Sequence, residues 1–135
     1  MSGKSITIAT LLAFVAFVLS SLLRGAPYLE APLFAGLPLG NLLVALALCA
    51  MAGASLALSQ RGTARRTAAL LALAGAVAWL PVSAALAGNL QLNFGNGRGA
   101  AWHALSVAVF AGACSTLLWG LGASVFAKFR RPDTA

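Results

Sequence analysis

Four long apolar stretches, separated by shorter polar or proline-rich segments, organise the sequence. They cover residues 6–23, 39–58, 67–87 and 100–127. About 20 apolar residues in a helix are enough to cross the hydrocarbon core of a bilayer. The pattern therefore predicts an all-α fold, an integral membrane bundle of four transmembrane helices that forms a single domain over residues 1–135.

The three connections between these stretches differ in composition. Residues 59–66 are short, polar and basic, and residues 88–99 are rich in Gly and Asn, which favour turns. Residues 24–38 contain three prolines and yet remain largely apolar. Because proline moves the preceding residue out of the helical region, we expect an irregular segment or a short interfacial helix there, on the outer side of the membrane.

Composition agrees with a membrane protein. Hydrophobic residues make up 61% of the chain and charged residues only 8%, whereas a soluble domain has about 25% charged residues. A water-soluble protein of this length could not bury so much apolar surface. The chain is therefore expected to have the lipid bilayer as its first partner.

The basic residues are divided unequally between the two ends of such a bundle. With four crossings, seven of them share one end: Lys4, Arg61, Arg65, Arg66, Lys128, Arg130 and Arg131. The other end has Arg24 and Arg98. Because cytoplasmic segments carry an excess of Lys and Arg, this bias predicts a multi-pass protein of the bacterial inner (plasma) membrane with both termini cytoplasmic. The net charge of +7 then reflects topology, and no nucleic-acid partner is expected.

The fourth apolar stretch has a small side chain at every fourth position. The row consists of Ala100, Ala104, Ala108, Gly112, Thr116, Gly120 and Ser124. Positions four apart follow one face of a helix, and small residues there allow the close backbone approach that holds helices together in lipid. We expect a neighbouring helix along this row, in this chain or in another. Shorter rows of the same spacing are Ala45, Cys49, Gly53 and Ala57 in the second stretch, and Ala68, Ala72 and Ala76 in the third.

Catalytic chemistry is not expected from these residue types. Hydrolytic and transfer sites usually need paired acids, or a nucleophile with a base. The chain has two acids, Glu30 in the proline-rich segment and Asp133 in the polar tail, and a single histidine, His103. These residues form no recognisable triad, so the sequence predicts a protein that is not an enzyme.

The stretch around His103 combines polar and aromatic residues near the predicted outer surface. Tryptophan and histidine have apolar bodies and polar tips, which suit the headgroup level. A histidine near a helix end can also be an axial haem ligand, which makes His103 a candidate for haem, but no metal-binding set accompanies it and no cofactor is expected. The predicted contacts to lipid or to a partner are Glu30, Asn93, Asn96, Arg98, Trp102 and His103.

The leading functional hypothesis from the sequence is a small non-catalytic accessory subunit of a larger inner-membrane complex, which stabilises an integral partner by helix packing. It depends on the small-residue rows together with the lack of a catalytic set and of ionisable residues deep within the apolar stretches. A homo-oligomeric small transporter, flippase or channel is the first alternative. A haem-binding membrane anchor in electron transfer is the second.

Overall fold

The computed structural model describes residues 3–95 and 97–129, which form four long α-helices. Their bounds are Gly3–Leu23 (α1), Leu39–Leu58 (α2), Ala64–Ala87 (α3) and Arg98–Phe129 (α4). Each helix is long and apolar enough to cross a membrane, and no β-strand occurs in the described ranges. The all-helical fold predicted from the sequence is confirmed, with four helices that are long and apolar enough to span a membrane.

Helix α3 shows how the sequence sets the ends of these helices. The Thr63 side chain accepts a hydrogen bond from the Arg66 backbone N–H at 3.3 Å, which caps the first turn. At the other end Gly88 adopts the left-handed region with φ 75°, and its N–H donates to the Ala84 carbonyl at 2.8 Å. The basic residues before the apolar stretch are therefore part of the helix, which starts three residues earlier than the apolar pattern alone indicates.

Helix α2 is the central element of the bundle. It packs against α1, α3 and α4, and α3 also packs against α4. Its contact surface is made largely of alanine, and Ala52 and Ala54 are fully buried. Small side chains allow the helix backbones to approach closely, which is the main source of helix association in lipid. Helix α1, by contrast, buries few residues and lies at the side of the bundle.

Two hydroxyl groups join α2 to α4 inside this core. The Thr116 hydroxyl lies 3.3 Å from the Ser55 hydroxyl, and each also donates to a carbonyl of its own helix, that of Gly112 and that of Met51 respectively. Donation to a carbonyl one turn back satisfies a hydroxyl without water. The contact therefore places polar groups in the core without leaving them unpaired.

The segment between α1 and α2 folds back on itself. It contains two short 3₁₀ helices, Pro27–Glu30 and Phe34–Gly36. The Leu33 N–H donates to the Leu37 carbonyl at 2.7 Å, and a left-handed Ala35 (φ 52°) makes the turn between them. This turn leaves the Phe34 side chain 72% exposed.

The first and third connections meet at the same end of the bundle. The Asn41 side chain, near the start of α2, donates from Nδ2 to the Leu90 carbonyl at 3.2 Å. We call this end the proline end, and the opposite end, which has the connection between α2 and α3, the arginine end. The basic residues of that connection and of the start of α3 lie at the arginine end.

A leucine in place of Gly120 is expected to destabilise the bundle by about 1–3 kcal/mol, the usual cost of overpacking. A Cβ atom at Gly120 would lie 3.2 Å from Leu58 Cβ and 3.3 Å from its Cδ1, so α2 and α4 would have to separate. The free energy of unfolding in mixed detergent micelles measures the effect. Gly122→Leu is the matched control, because no neighbour lies within 4 Å of that position. Equal stability of the two variants would contradict the close approach of the helices.

Candidate functional site

The small-residue row of α4 is divided between two environments. In its arginine-end half, Gly120 is buried against Leu58, and the Thr116 hydroxyl contacts Ser55. In its proline-end half, three alanines are exposed: Ala100, Ala104 and Ala108. Gly112 lies between the halves, and no described residue from another helix has an atom within 4 Å of its Cβ position. Within this chain, α2 therefore covers only part of the row, and a neighbour for the remainder stays a prediction.

An open groove of about 380 Å³ runs between α3 and α4 beside the uncovered part of the row. Small residues of both helices line it, together with Leu71, whose side chain is 70% exposed. We call it the α3–α4 groove. Its lining residues are Ala68, Leu71, Ala72, Gly75, Ala108, Val109, Gly112 and Thr116.

The two shorter small-residue rows have different surroundings. On α2, the Cβ position of Gly53 lies 3.9 Å from Leu11 Cδ1, so part of that row faces α1. On α3, Ala76 is buried in the core, whereas Ala68 and Ala72 line the α3–α4 groove. Of these two shorter rows, only the row of α3 therefore contributes to the groove.

A second cavity, of about 350 Å³, lies on the other face of α4. Aromatic and polar side chains line it, and we call it the tryptophan cavity. Inside it, the indole N–H of Trp79, a residue only 5% exposed, donates to the Ser106 hydroxyl at 2.9 Å. Its lining residues are Asn41, Val44, Leu48, Trp79, Trp102, Ser106 and Phe110.

A narrower apolar cavity of about 120 Å³ adjoins the tryptophan cavity between α1, α2 and α4. The two cavities share Val44, Leu48 and Phe110 in their walls. Helix α1 supplies four aliphatic residues to the narrower one: Val15, Val18, Leu19 and Leu22. An elongated space with a partly polar part and an apolar part therefore extends beside α2.

The surface residues predicted from the sequence do not form one cluster. Glu30 ends the first 3₁₀ helix and is exposed. In the connection before α4, the Asn93 side chain donates to Gln91 Oε1 at 3.1 Å. The Arg98 guanidinium reaches the Leu86 carbonyl at 3.5 Å. Asn96 lies outside the described residues.

Trp102 and His103 are neighbours in sequence with different surroundings. The Trp102 ring stacks on Phe94, with ring centroids 4.9 Å apart, and lines the tryptophan cavity. His103 is exposed and lines none of the three cavities described above. In the described parts of the chain, no three His, Cys, Asp or Glu residues are grouped so that they could hold a metal ion. Cys49 and Cys114 are free and partly buried.

Sequence reasoning missed the contact between Trp79 and Ser106. Both residues lie inside apolar stretches, in which a tryptophan and a serine are unremarkable individually. Each residue lies about eight residues from the proline end of its helix. Residues at equal depth on adjacent antiparallel helices can be in contact, so this spacing is a signal that could have paired them.

Comparison with known proteins gives no relative for this chain: no family model matches it, and neither does any curated protein or solved structure. The four apolar helices indicate a multi-pass membrane protein. The groove and the cavities are the features of the structure that bear on its function.

Replacing Asn41 with alanine is expected to loosen the proline end and lower stability by about 1 kcal/mol. The change removes the hydrogen bond to the Leu90 carbonyl, which ties the third connection to α2. Faster amide hydrogen exchange in residues 89–93 would show the loosening. Gln60→Ala is the control, because that exposed side chain lies at the arginine end. Unchanged exchange in the Asn41 variant would contradict the proposed tie.

Proposed function

We propose that this protein is a non-catalytic accessory subunit of a larger inner-membrane complex, and that it receives a helix of an integral partner in the α3–α4 groove. The observation that carries the proposal is the groove itself. It is lined by small residues of two membrane-spanning helices, and nothing within the described chain fills it.

Groove geometry supports a helix as the occupant. Association in lipid requires close backbone approach, which Ala72 of α3 and Gly112 of α4 permit from the two sides of the groove. Leu71, which is largely exposed, offers a large side chain that a partner helix would cover. Thr116 adds a hydroxyl that already donates within its own helix, so an apolar partner would leave no polar group unpaired.

The charge distribution supports an orientation for the subunit. Arg61, Arg65 and Arg66 lie at the arginine end, near the start of α3, whereas Arg24 and Arg98 lie at the proline end. The excess of basic residues favours the arginine end as the cytoplasmic one. In this orientation, both termini are cytoplasmic and the proline-rich segment is on the outer side of a bacterial inner membrane.

A homo-oligomeric transporter, flippase or channel is the second candidate function. The same groove favours it, because a second copy of α3 or α4 would also bring small residues into contact. A haem-binding anchor rests on His103 alone. An absorbance spectrum tests that idea, because haem bound by His103 would give a Soret band that disappears in His103→Ala.

Leucine in place of Gly112 is expected to reduce recovery of the integral partner about ten-fold while the chain itself stays folded. The side chain would enter the groove, but outside its own helical backbone no atom of the described residues lies within 4 Å of its Cβ position. Tagged protein is purified from its native membrane in mild detergent, and copurifying integral proteins are quantified by mass spectrometry. A clash of 1–3 kcal/mol in the interface corresponds to this loss.

Gly122→Leu is the matched control for that experiment, because Gly122 is equally open and does not line the groove. Identical partner recovery in the Gly112 and Gly122 variants would contradict the groove as the docking site. A homogeneous particle made only of this chain would instead favour the homo-oligomer.

Single cysteines are expected to report the orientation. In a chain with Cys49→Ala and Cys114→Ala, an impermeant maleimide applied to intact bacterial spheroplasts should label Asn93→Cys. It should label Gln60→Cys only after the membrane is permeabilised. Both positions are exposed, and they lie at opposite ends of the bundle. The reverse labelling pattern would contradict the cytoplasmic location of the arginine end.

A further inference from the structure

We propose that the tryptophan cavity binds a membrane quinone, a lipid-soluble molecule with a flat ring that bears carbonyl oxygens and with a long apolar tail. The ring occupies the tryptophan cavity and the tail enters the adjoining apolar cavity. This binding is separate from the proposed accessory role, because the cavity and the α3–α4 groove lie on different faces of α4. No redox step is assigned to the chain.

The Ser106 hydroxyl supplies a hydrogen-bond donor to the cavity. The hydroxyls of Ser55 and Ser124, by comparison, donate to a carbonyl one turn back. Ser106 instead accepts from Trp79, and its own proton has no acceptor among the described residues. In a bilayer no bulk water is available to accept that proton. A carbonyl oxygen bound in the cavity would accept it.

The ring surfaces of the cavity suit a flat ligand. Trp79, Trp102 and Phe110 all line it, and aromatic rings pack well against other rings in offset or edge-to-face geometry. A volume of about 350 Å³ lies within the usual range for small-molecule sites. The Trp102 indole N–H is also buried without an acceptor in the described part of the chain.

The adjoining cavity suits an apolar tail. Its walls are aliphatic residues of α1 and α2 together with Phe110, and they present no polar surface to its interior. Because Val44 and Leu48 belong to both walls, a ligand can extend from one cavity to the other. The polar groups lie in only one of the two cavities, which matches a molecule with a polar ring and an apolar tail.

The aromatic lining favours a quinone over a glycerolipid. Ser106 lies eight residues after the first residue of α4, Arg98, and one helical turn after Trp102. A glycerolipid ester offers a carbonyl acceptor but no ring to pack against the aromatic side chains of the cavity. A quinone offers both a carbonyl acceptor for the Ser106 proton and a flat ring.

Tryptophan fluorescence provides the test. Trp119 is exposed and lines neither cavity, so Trp119→Phe leaves only the two tryptophans of the cavity as reporters. The purified variant in glycerolipid nanodiscs is titrated with decyl-benzoquinone, which quenches nearby indoles. We expect quenching that saturates at one quinone per chain. Adding Ser106→Ala should raise the Kd about five-fold, the usual effect of one lost hydrogen bond.

Two further variants make the result specific. Ser115→Ala is the matched control, since Ser115 is an exposed serine of the same helix outside both cavities, and it should leave the Kd unchanged. Val44→Phe narrows the junction of the cavities and should abolish saturation. Circular dichroism and thermal unfolding establish that each variant is folded before titration. If Val44→Phe is misfolded, Leu48→Phe replaces it, because Leu48 lies at the same junction.

Three outcomes would overturn the proposal. Quenching that rises linearly with quinone means that the quinone only partitions into the lipid. An unchanged Kd in Ser106→Ala means that the Ser106 hydroxyl does not donate a hydrogen bond to a quinone carbonyl. Equal displacement of the quinone by methyl decanoate, which has a similar tail without a ring, means that the occupant is an acyl chain.

Discussion

Close approach of α2 to its three neighbours is the contact on which the rest of the bundle depends. The alanines of α2 provide the approach, and glycines of the facing helices extend it, as at Gly120. Because lipid gives no hydrophobic drive for association, this packing must supply most of the stabilising contact. Short side chains also affect the empty space in the bundle. They let the backbones come together where two helices are in contact, but they do not fill the space where the helices diverge.

The cavities follow from this geometry. Helix α1 docks on α2 at one side of the bundle, so α1 and α4 face each other across a gap rather than in close contact. The large side chain of Phe110 borders this gap without closing it, and Trp79 borders the adjoining tryptophan cavity. A bundle built on a central alanine-rich helix thus encloses space beside that helix. The adjoining tryptophan cavity also has polar groups in its lining, among them the Asn41 amide, the Ser106 hydroxyl and the Trp79 indole N–H.

The sequence was sufficient for the four helices, because apolar length is a one-dimensional signal that does not depend on tertiary contacts. It also identified the row on α4. It could not tell that Gly120 meets Leu58 while Ala104 stays exposed, because that depends on how α4 is rotated against α2. The contact between Trp79 and Ser106, 27 residues apart, was hidden for the same reason. Periodicity shows which residues share a face and not what the face meets.

The position of the two binding features around α4 bears on how they can coexist. Ser106 lines the tryptophan cavity and Ala108 lines the α3–α4 groove. At about 100° of rotation per residue, the α4 residues of the cavity and those of the groove follow two faces of the helix that are about 100° apart. A partner helix in the groove would therefore contact a different side of α4 from the side that lines the cavity. The groove needs small residues and the cavity needs aromatic ones. Because these residues occupy different positions of α4, one helix can provide both surfaces.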